Sequence, residues 1–242
     1  MAHGGPDWGI GVPVSTIYGL DDMGELVVRL GSIDTFDRRG NVVFLSSFED
    51  SLNPFISSKT GANASVSITN AGSRNGASSC ELRPGDVIGD YALLQHYSPF
   101  PVSSKLGVEV SFATVHTDAI FAVENELDDT AERHYPRIYY DWDSDELSYY
   151  DSAGAPQVFA SGLKLKAYER IFHTIKVVFD LAKKEYVRVI LDNVEYDLSG
   201  KKYQTPATTG SAYWYQEMYA EAKVADGTWV YIDDLIVTQN EP

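Results

Sequence analysis

Glu126-Leu127-Asp128-Asp129-Thr130-Ala131-Glu132 sets four acids within seven residues, in the pattern E-x-D-x-x-x-E. Retaining hydrolysis of a glycosidic bond needs two carboxyl groups about 5 Å apart across the sugar. That geometry requires the acids to lie on a strand. The run reads instead as the end of a strand over residues 119–127 followed by an acidic loop. A solvated loop is therefore the expectation, and no catalytic residue is assigned. The histidines (His3, His96, His116, His134 and His173) show no H-x-x-x-H or H-E-x-x-H pairing, so no zinc site is indicated. G-x-S-x-G, the P-loop and G-x-G-x-x-G are absent from the sequence. Trp8-Gly9-Ile10-Gly11 has glycines without a strand–helix context, and His173 reads as a satisfied sheet residue.

Aromatic residues offer a second kind of chemistry. In the segment 213–224, Trp214, Met218, Ala220, Ala222 and Val224 suit a core, while Tyr213, Tyr215, Glu217, Tyr219 and Glu221 share the opposite face. Tyr139 and Asp141 lie on one face of a neighbouring segment, with Tyr140 and Trp142 on the other. Flat rings stack on sugar faces and carboxylates accept bonds from sugar hydroxyls. The same mixture also makes a wet protein interface, where Tyr is enriched.

The elements that would position these residues are strands. In 173–198, HTIKVVFDLAKKEYVRVILDNVEYDL, period-two alternation predicts two long antiparallel strands and a short third. Turns fall at Ala182-Lys183-Lys184 and Asp192-Asn193. Further strands are expected at 26–30, 33–36, 42–47, 65–69, 78–82, 91–97, 137–142, 146–150, 158–160, 213–224 and 229–238. Residues 106–115 and 119–127 are expected to form a hairpin. Residues 163–170 are the best helical candidate. A dozen strands at this spacing indicate a two-sheet sandwich.

The chain has 242 residues, 16 of them Tyr, with a net charge of −16. So acidic a chain lacks the Lys and Arg that neutralise a phosphate backbone, which excludes nucleic acid as a partner class. No stretch has the apolar length of a membrane span. The N-terminus lacks a basic region followed by an apolar one, so synthesis in a cytoplasm without a signal peptide is expected, with a virion-associated or extracellular place after release. Cys80 is the single cysteine, expected as a small buried thiol. Residues 1–40 are read as an arm and a leading hairpin, and 41–242 as the main domain. The arm carries apolar anchors at Trp8, Ile10, Val12, Val14, Ile17 and Tyr18 that would dock on an assembly neighbour.

Phe48-Glu49-Asp50-Ser51-Leu52 opens the domain, and Val230-Tyr231-Ile232-Asp233-Asp234-Leu235 begins its closing strand. This pairing, with the central strand block, resembles jelly-roll carbohydrate-binding modules and concanavalin-like lectin and glucanase sandwiches. The resemblance covers about residues 42–240. It implies an all-β, two-sheet antiparallel jelly-roll (concanavalin-like) sandwich behind an extended N-terminal arm. It also implies a structural Ca²⁺ bridging the first and last strands through Glu49 and Asp233 or Asp234, with Asp50 nearby, because calcium takes hard oxygen ligands. The run Glu126–Glu132 resembles the catalytic run of some of those glucanases.

The functional expectation is a non-enzymatic structural subunit of a larger assembly, of the virion decoration or fibre type, with homo-oligomer or capsid neighbours as partners. The alternative is a carbohydrate-binding module that recognises a glycan through Tyr213, Tyr215, Glu217, Tyr219, Glu221 and Tyr139. A third reading is a concanavalin-like glycan hydrolase or lyase. Fold alone does not choose between them.

Overall fold

Apolar and polar residues alternate along most segments from residue 41 onward, and there the backbone answers with strands. The computed structural model describes residues 39–225 and 227–242. The expected arm, with Trp8, Ile10, Val12, Val14, Ile17 and Tyr18, and the expected leading strands lie outside the described residues. The strands in chain order are β1 (Asn41–Ser46), β2 (Ile56–Lys59), β3 (Ser65–Thr69), β4 (Ser79–Arg83), β5 (Tyr91–Ser98), β6 (Lys105–Thr114), β7 (Ala119–Asp128) and β8 (Arg133–His134). They continue as β9 (Arg137–Asp141), β10 (Glu146–Tyr150), β11 (Pro156–Ser161), β12 (His173–Asp180), β13 (Glu185–Leu191), β14 (Val194–Asp197), β15 (Tyr213–Ala222) and β16 (Val230–Gln239). No helix occurs among the described residues.

Two antiparallel sheets of eight strands form a jelly-roll sandwich. The first runs β14-β13-β12-β6-β16-β4-β3, with β1 also paired to β16. The second runs β11-β10-β9-β7-β15-β5-β2, with β8 also paired to β7. Their inner faces interdigitate into one core. Phe112 of the first sheet stacks on Phe121 of the second with ring centroids 4.7 Å apart, and Trp142 meets Phe112 edge-on at 5.6 Å. Cys80 sits buried in this core, where desolvation pushes its thiol pKa up.

The expected hairpin of 106–115 with 119–127 does not form. β6 pairs with β12 and β16 in the first sheet, whereas β7 pairs with β15 and β9 in the second. The connection crosses the core edge instead of turning within a sheet. Alternation is identical in both cases, because each strand still presents one face inward. β15 and β16 are likewise consecutive in the chain and lie in opposite sheets.

Residues 163–170 are not helical. Leu163, Leu165 and Ala167 pack against the core while Lys164, Lys166 and Tyr168 are exposed, so the segment follows period two rather than 3.6. In β16 the alternation contains a break. Val230 and Ile232 face the core, as do Leu235 and Val237. A register shift between Asp233 and Ile236, with Asp234 at φ 50°, supplies the extra residue that changes the parity. Without that bulge, Asp234 and Ile236 would point into the core in place of Leu235 and Val237.

On the outer face of the first sheet, Glu241 gathers a charged cluster. Glu241 is fully buried and meets Lys176 Nζ at 2.8 Å and Arg188 Nη2 at 2.6 Å. It also accepts a hydrogen bond from Thr238 Oγ1 at 2.6 Å. Charges this buried persist only when paired and hydrogen-bonded.

Candidate functional site

β15 lies at the middle of the second sheet, between β7 and β5. Its inward residues Trp214, Met218 and Ala220 are core. Strand parity then forces Tyr213, Tyr215, Glu217, Tyr219 and Glu221 onto the outer face. Register adds neighbours on either side. Tyr215 stands opposite Glu126 of β7 and Tyr97 of β5; Glu217 stands opposite Glu124 and Gln95. Beyond β7, Arg137 pairs with Glu124, and Tyr139 with Ala122. One sheet face thus gathers the tyrosines and acids of four strands, including all six residues expected at a glycan or protein contact.

Ring geometry makes this face a platform. Tyr213 and Tyr215 are parallel within 8°, with centroids 5.7 Å apart. Tyr97 lies 5.3 Å from Tyr215, Tyr91 stacks on Tyr219 at 5.6 Å, and Tyr139 meets Tyr150 at 4.7 Å. The hydroxyls are fixed by carboxylates. Tyr213 and Tyr215 both donate to Glu126, Tyr139 donates to Glu124, and Tyr219 donates to Glu221 at 2.7 Å. Burial, followed by these hydroxyl–carboxylate contacts, raises the pKa of Tyr213 and Tyr215, so both stay neutral donors.

Glu126 and Glu217 occupy different environments. Glu126 is buried and faces Arg133 Nε at 3.1 Å as well as the two tyrosine hydroxyls. Glu217 is also buried, and Gln95 Nε2 donates to it at 2.6 Å. Burial pushes the Glu217 carboxyl up to about 7, and the facing Glu124 adds to the rise. Glu124 is itself raised, chiefly by burial and against the pull of Tyr139 and Arg137. A carboxyl that holds its proton near neutrality, beside others compensated by donors, is the separation of roles that acid–base chemistry on a glycosidic bond requires.

The acidic run is corrected by the structure. Glu126 lies on β7 as expected, Asp128 also belongs to β7 rather than to the loop, and with Glu124 they alternate onto the outer face. Their side of the strand is signalled in the sequence by E-x-E-x-D, since Val123 and Leu127 between and beside them are core. Glu132 is apart from them, bridged to Ala207 and paired with Lys184. Sequence reading missed Glu124, Gln95, Tyr97, Arg133 and Arg137, because their place depends on which strands pair.

The expected calcium ligands are brought together only in part. Asp233 accepts the backbone N–H groups of Arg74 and Asn75 at 2.9 and 3.2 Å. Asp234 faces Arg74 Nη1 at 3.2 Å and accepts Asn75 Nδ2 at 2.6 Å. Glu49 accepts the N–H groups of Ala77 and Ser78, and Asp50 is exposed. Among the described residues no group of three His, Cys, Asp or Glu side chains is arranged to hold a metal ion. The loop 72–78 supplies a guanidinium and amide donors where the expectation put calcium. The donor set therefore does not fit the ion.

The two antiparallel sheets define a concanavalin-like jelly-roll sandwich. No protein-family model matches the sequence, and no curated protein matches it. Among solved structures the chain is similar to the endo-β-1,4-glucuronan lyase of the fungus Trichoderma reesei, at 9% identity over 83% of this chain and 96% of that one, with a TM-score of 0.54. It is similar to the Bacillus licheniformis β-glucanase at 10% identity over 83% and 99% of the two chains, with a TM-score of 0.51. The Emp47p carbohydrate recognition domain matches at 14% identity over 84% and 99%, with a TM-score of 0.52. These likenesses are likenesses of fold. They overturn the expectation of a non-enzymatic protein as far as it rested on architecture, because the same sandwich serves a lyase and a glucanase.

Proposed function

We propose that this chain recognises a glycan through the outer face of the second sheet. The observation that carries the reading is the continuity of that face: parallel Tyr213 and Tyr215, flanked by Tyr97 and Tyr139, alternate with Glu126, Glu217 and Gln95 on adjoining strands. Rings present apolar area to the C–H face of a sugar, while carboxylates and amides exchange hydrogen bonds with its hydroxyls. The fold's kinship with a carbohydrate recognition domain supports this reading over the virion decoration subunit expected from sequence, which neither the neighbours nor the described residues support. The test is a glycan array followed by calorimetry on the wild type and on Tyr215→Ala and Tyr219→Ala. Loss of binding by about tenfold or more, in variants that still unfold in one cooperative transition above the assay temperature, is expected. An unchanged isotherm in both variants sinks the chosen face.

A second reading, glycan cleavage, is favoured by Glu217 holding its proton near neutrality opposite Glu124 and diagonal to Glu126. In hydrolysis Glu217 would donate its proton to the glycosidic oxygen as the C–O bond breaks, while a β7 carboxylate attacks the sugar carbon or activates the incoming water. Release of reducing ends from array-positive polysaccharides tests it. Turnover that survives Glu217→Gln rules it out.

A further inference from the structure

Charge on the face narrows the ligand class. Glu124, Glu126, Asp128, Asp141, Glu217 and Glu221 come from β7, β9 and β15 and point to the same side. Three cations stand among them, and each is already set against an acid. Arg133 Nε lies 3.1 Å from Glu126 and 3.7 Å from Asp128. Arg137 lies 4.0 Å from Glu124, with its guanidinium over the Tyr135 and Tyr150 rings. Lys223 Nζ lies 2.8 Å from Asp141 and 3.1 Å from Asp143. Neutral donors are engaged likewise: tyrosine hydroxyls are directed at Glu126, Glu124 and Glu221, and the Gln95 amide at Glu217.

An arriving carboxylate or sulfate would therefore meet acids in excess and no uncompensated cation among the described residues of this face. Like charges brought together at a desolvated contact cost several-fold to many-fold in affinity. A neutral sugar meets no such penalty, and its hydroxyls can donate to the acid oxygens. An amino sugar would add a favourable charge. We infer that the face selects non-anionic glycans, neutral or aminated, and rejects uronate and sulfated polymers. This rests on the glycan-binding reading above and adds the sign of charge that the ligand must avoid.

The experiment is binding of the whole chain to matched oligosaccharides: neutral β-linked glucose and mannose oligomers, a deacetylated glucosamine oligomer, and oligoglucuronate of the same length. At low ionic strength the neutral or aminated oligomers should bind at least about tenfold more tightly than oligoglucuronate. For the neutral ones, the gap to oligoglucuronate should narrow in about 0.5 M NaCl. Equal or tighter binding of oligoglucuronate by the wild type overturns the selection while leaving the glycan-binding face standing. Binding of no oligosaccharide at all removes the face as a glycan site, and the selection with it.

Discussion

Glu217 of β15 and Glu124 of β7 are register partners on the same face of one sheet, so two carboxyl groups confront each other in a largely buried setting. Neither is compensated by a full-strength ion pair, since Gln95 serves Glu217 and Arg137 stands 4.0 Å from Glu124. Mutual repulsion and burial act in the same direction and favour the protonated forms.

Glu217 should therefore titrate near 7, and replacing its partner should move it. In Glu124→Gln the Glu217 transition shifts downward, read by carboxyl carbon NMR. The folded value stands above the ordinary 4.5, so the folded chain holds this proton more tightly than the unfolded chain. Stability from this group is complete below about pH 4.5 and is lost as pH rises through about 7. Glu217→Gln should flatten that part of the stability profile.

His96 works in the opposite sense. It stacks on Phe44 on the core side of β5, and neither ring nitrogen has a hydrogen-bond partner among the described residues. Burial pushes its pKa down to about 4. The unfolded chain takes up this proton first, so stability is lost as pH falls from about 6.5 to about 4. Thermal melts at steps across that window should show the loss, and His96→Phe should reduce it.

Glu241 ties the end of the chain to β12 and β13. Glu241→Ala leaves Lys176 and Arg188 buried without this acid, and should cost about 3–5 kcal/mol. Removing residues 241–242 should match it, because Arg188 Nη1 also donates to the Pro242 carbonyl at 3.0 Å. Urea titration measures both. A loss below about 1 kcal/mol would mean that the network does not hold the terminus.

Tyr215 has two separable parts. Tyr215→Phe keeps the ring parallel to Tyr213 and removes one hydroxyl from Glu126, which should lower stability by about 1–3 kcal/mol. Glycan affinity should fall less in Tyr215→Phe than in Tyr215→Ala, since the stacking surface survives. Equal losses would assign recognition to the hydroxyl rather than to the ring.

Core packing was the most legible part of the chain. Trp214, Met218 and Ala220 announce an inward face by parity alone, and the same parity sends Tyr213, Tyr215, Glu217, Tyr219 and Glu221 outward. Trp214→Ala should accordingly cost about 3–5 kcal/mol in urea titration.

Period two is a local property, dictated by residues two apart on one strand, so sequence alone determined that the chain builds antiparallel strands with one buried face and one tyrosine-rich face. Strand partnership is not local. β6 and β7 alternate as a hairpin would, yet lie in opposite sheets, because hydrogen-bond pairing is decided by which strand edges meet when both inner faces are buried at once. The bulge at Asp233–Asp234 and the placing of Arg74 against Asp234 arise the same way, from fitting Leu235 and Val237 into a shared core. So too the site: the sequence supplied Glu217 and Glu126 on separate strands, and only the pairing of β15 with β7 set their carboxyls on one face.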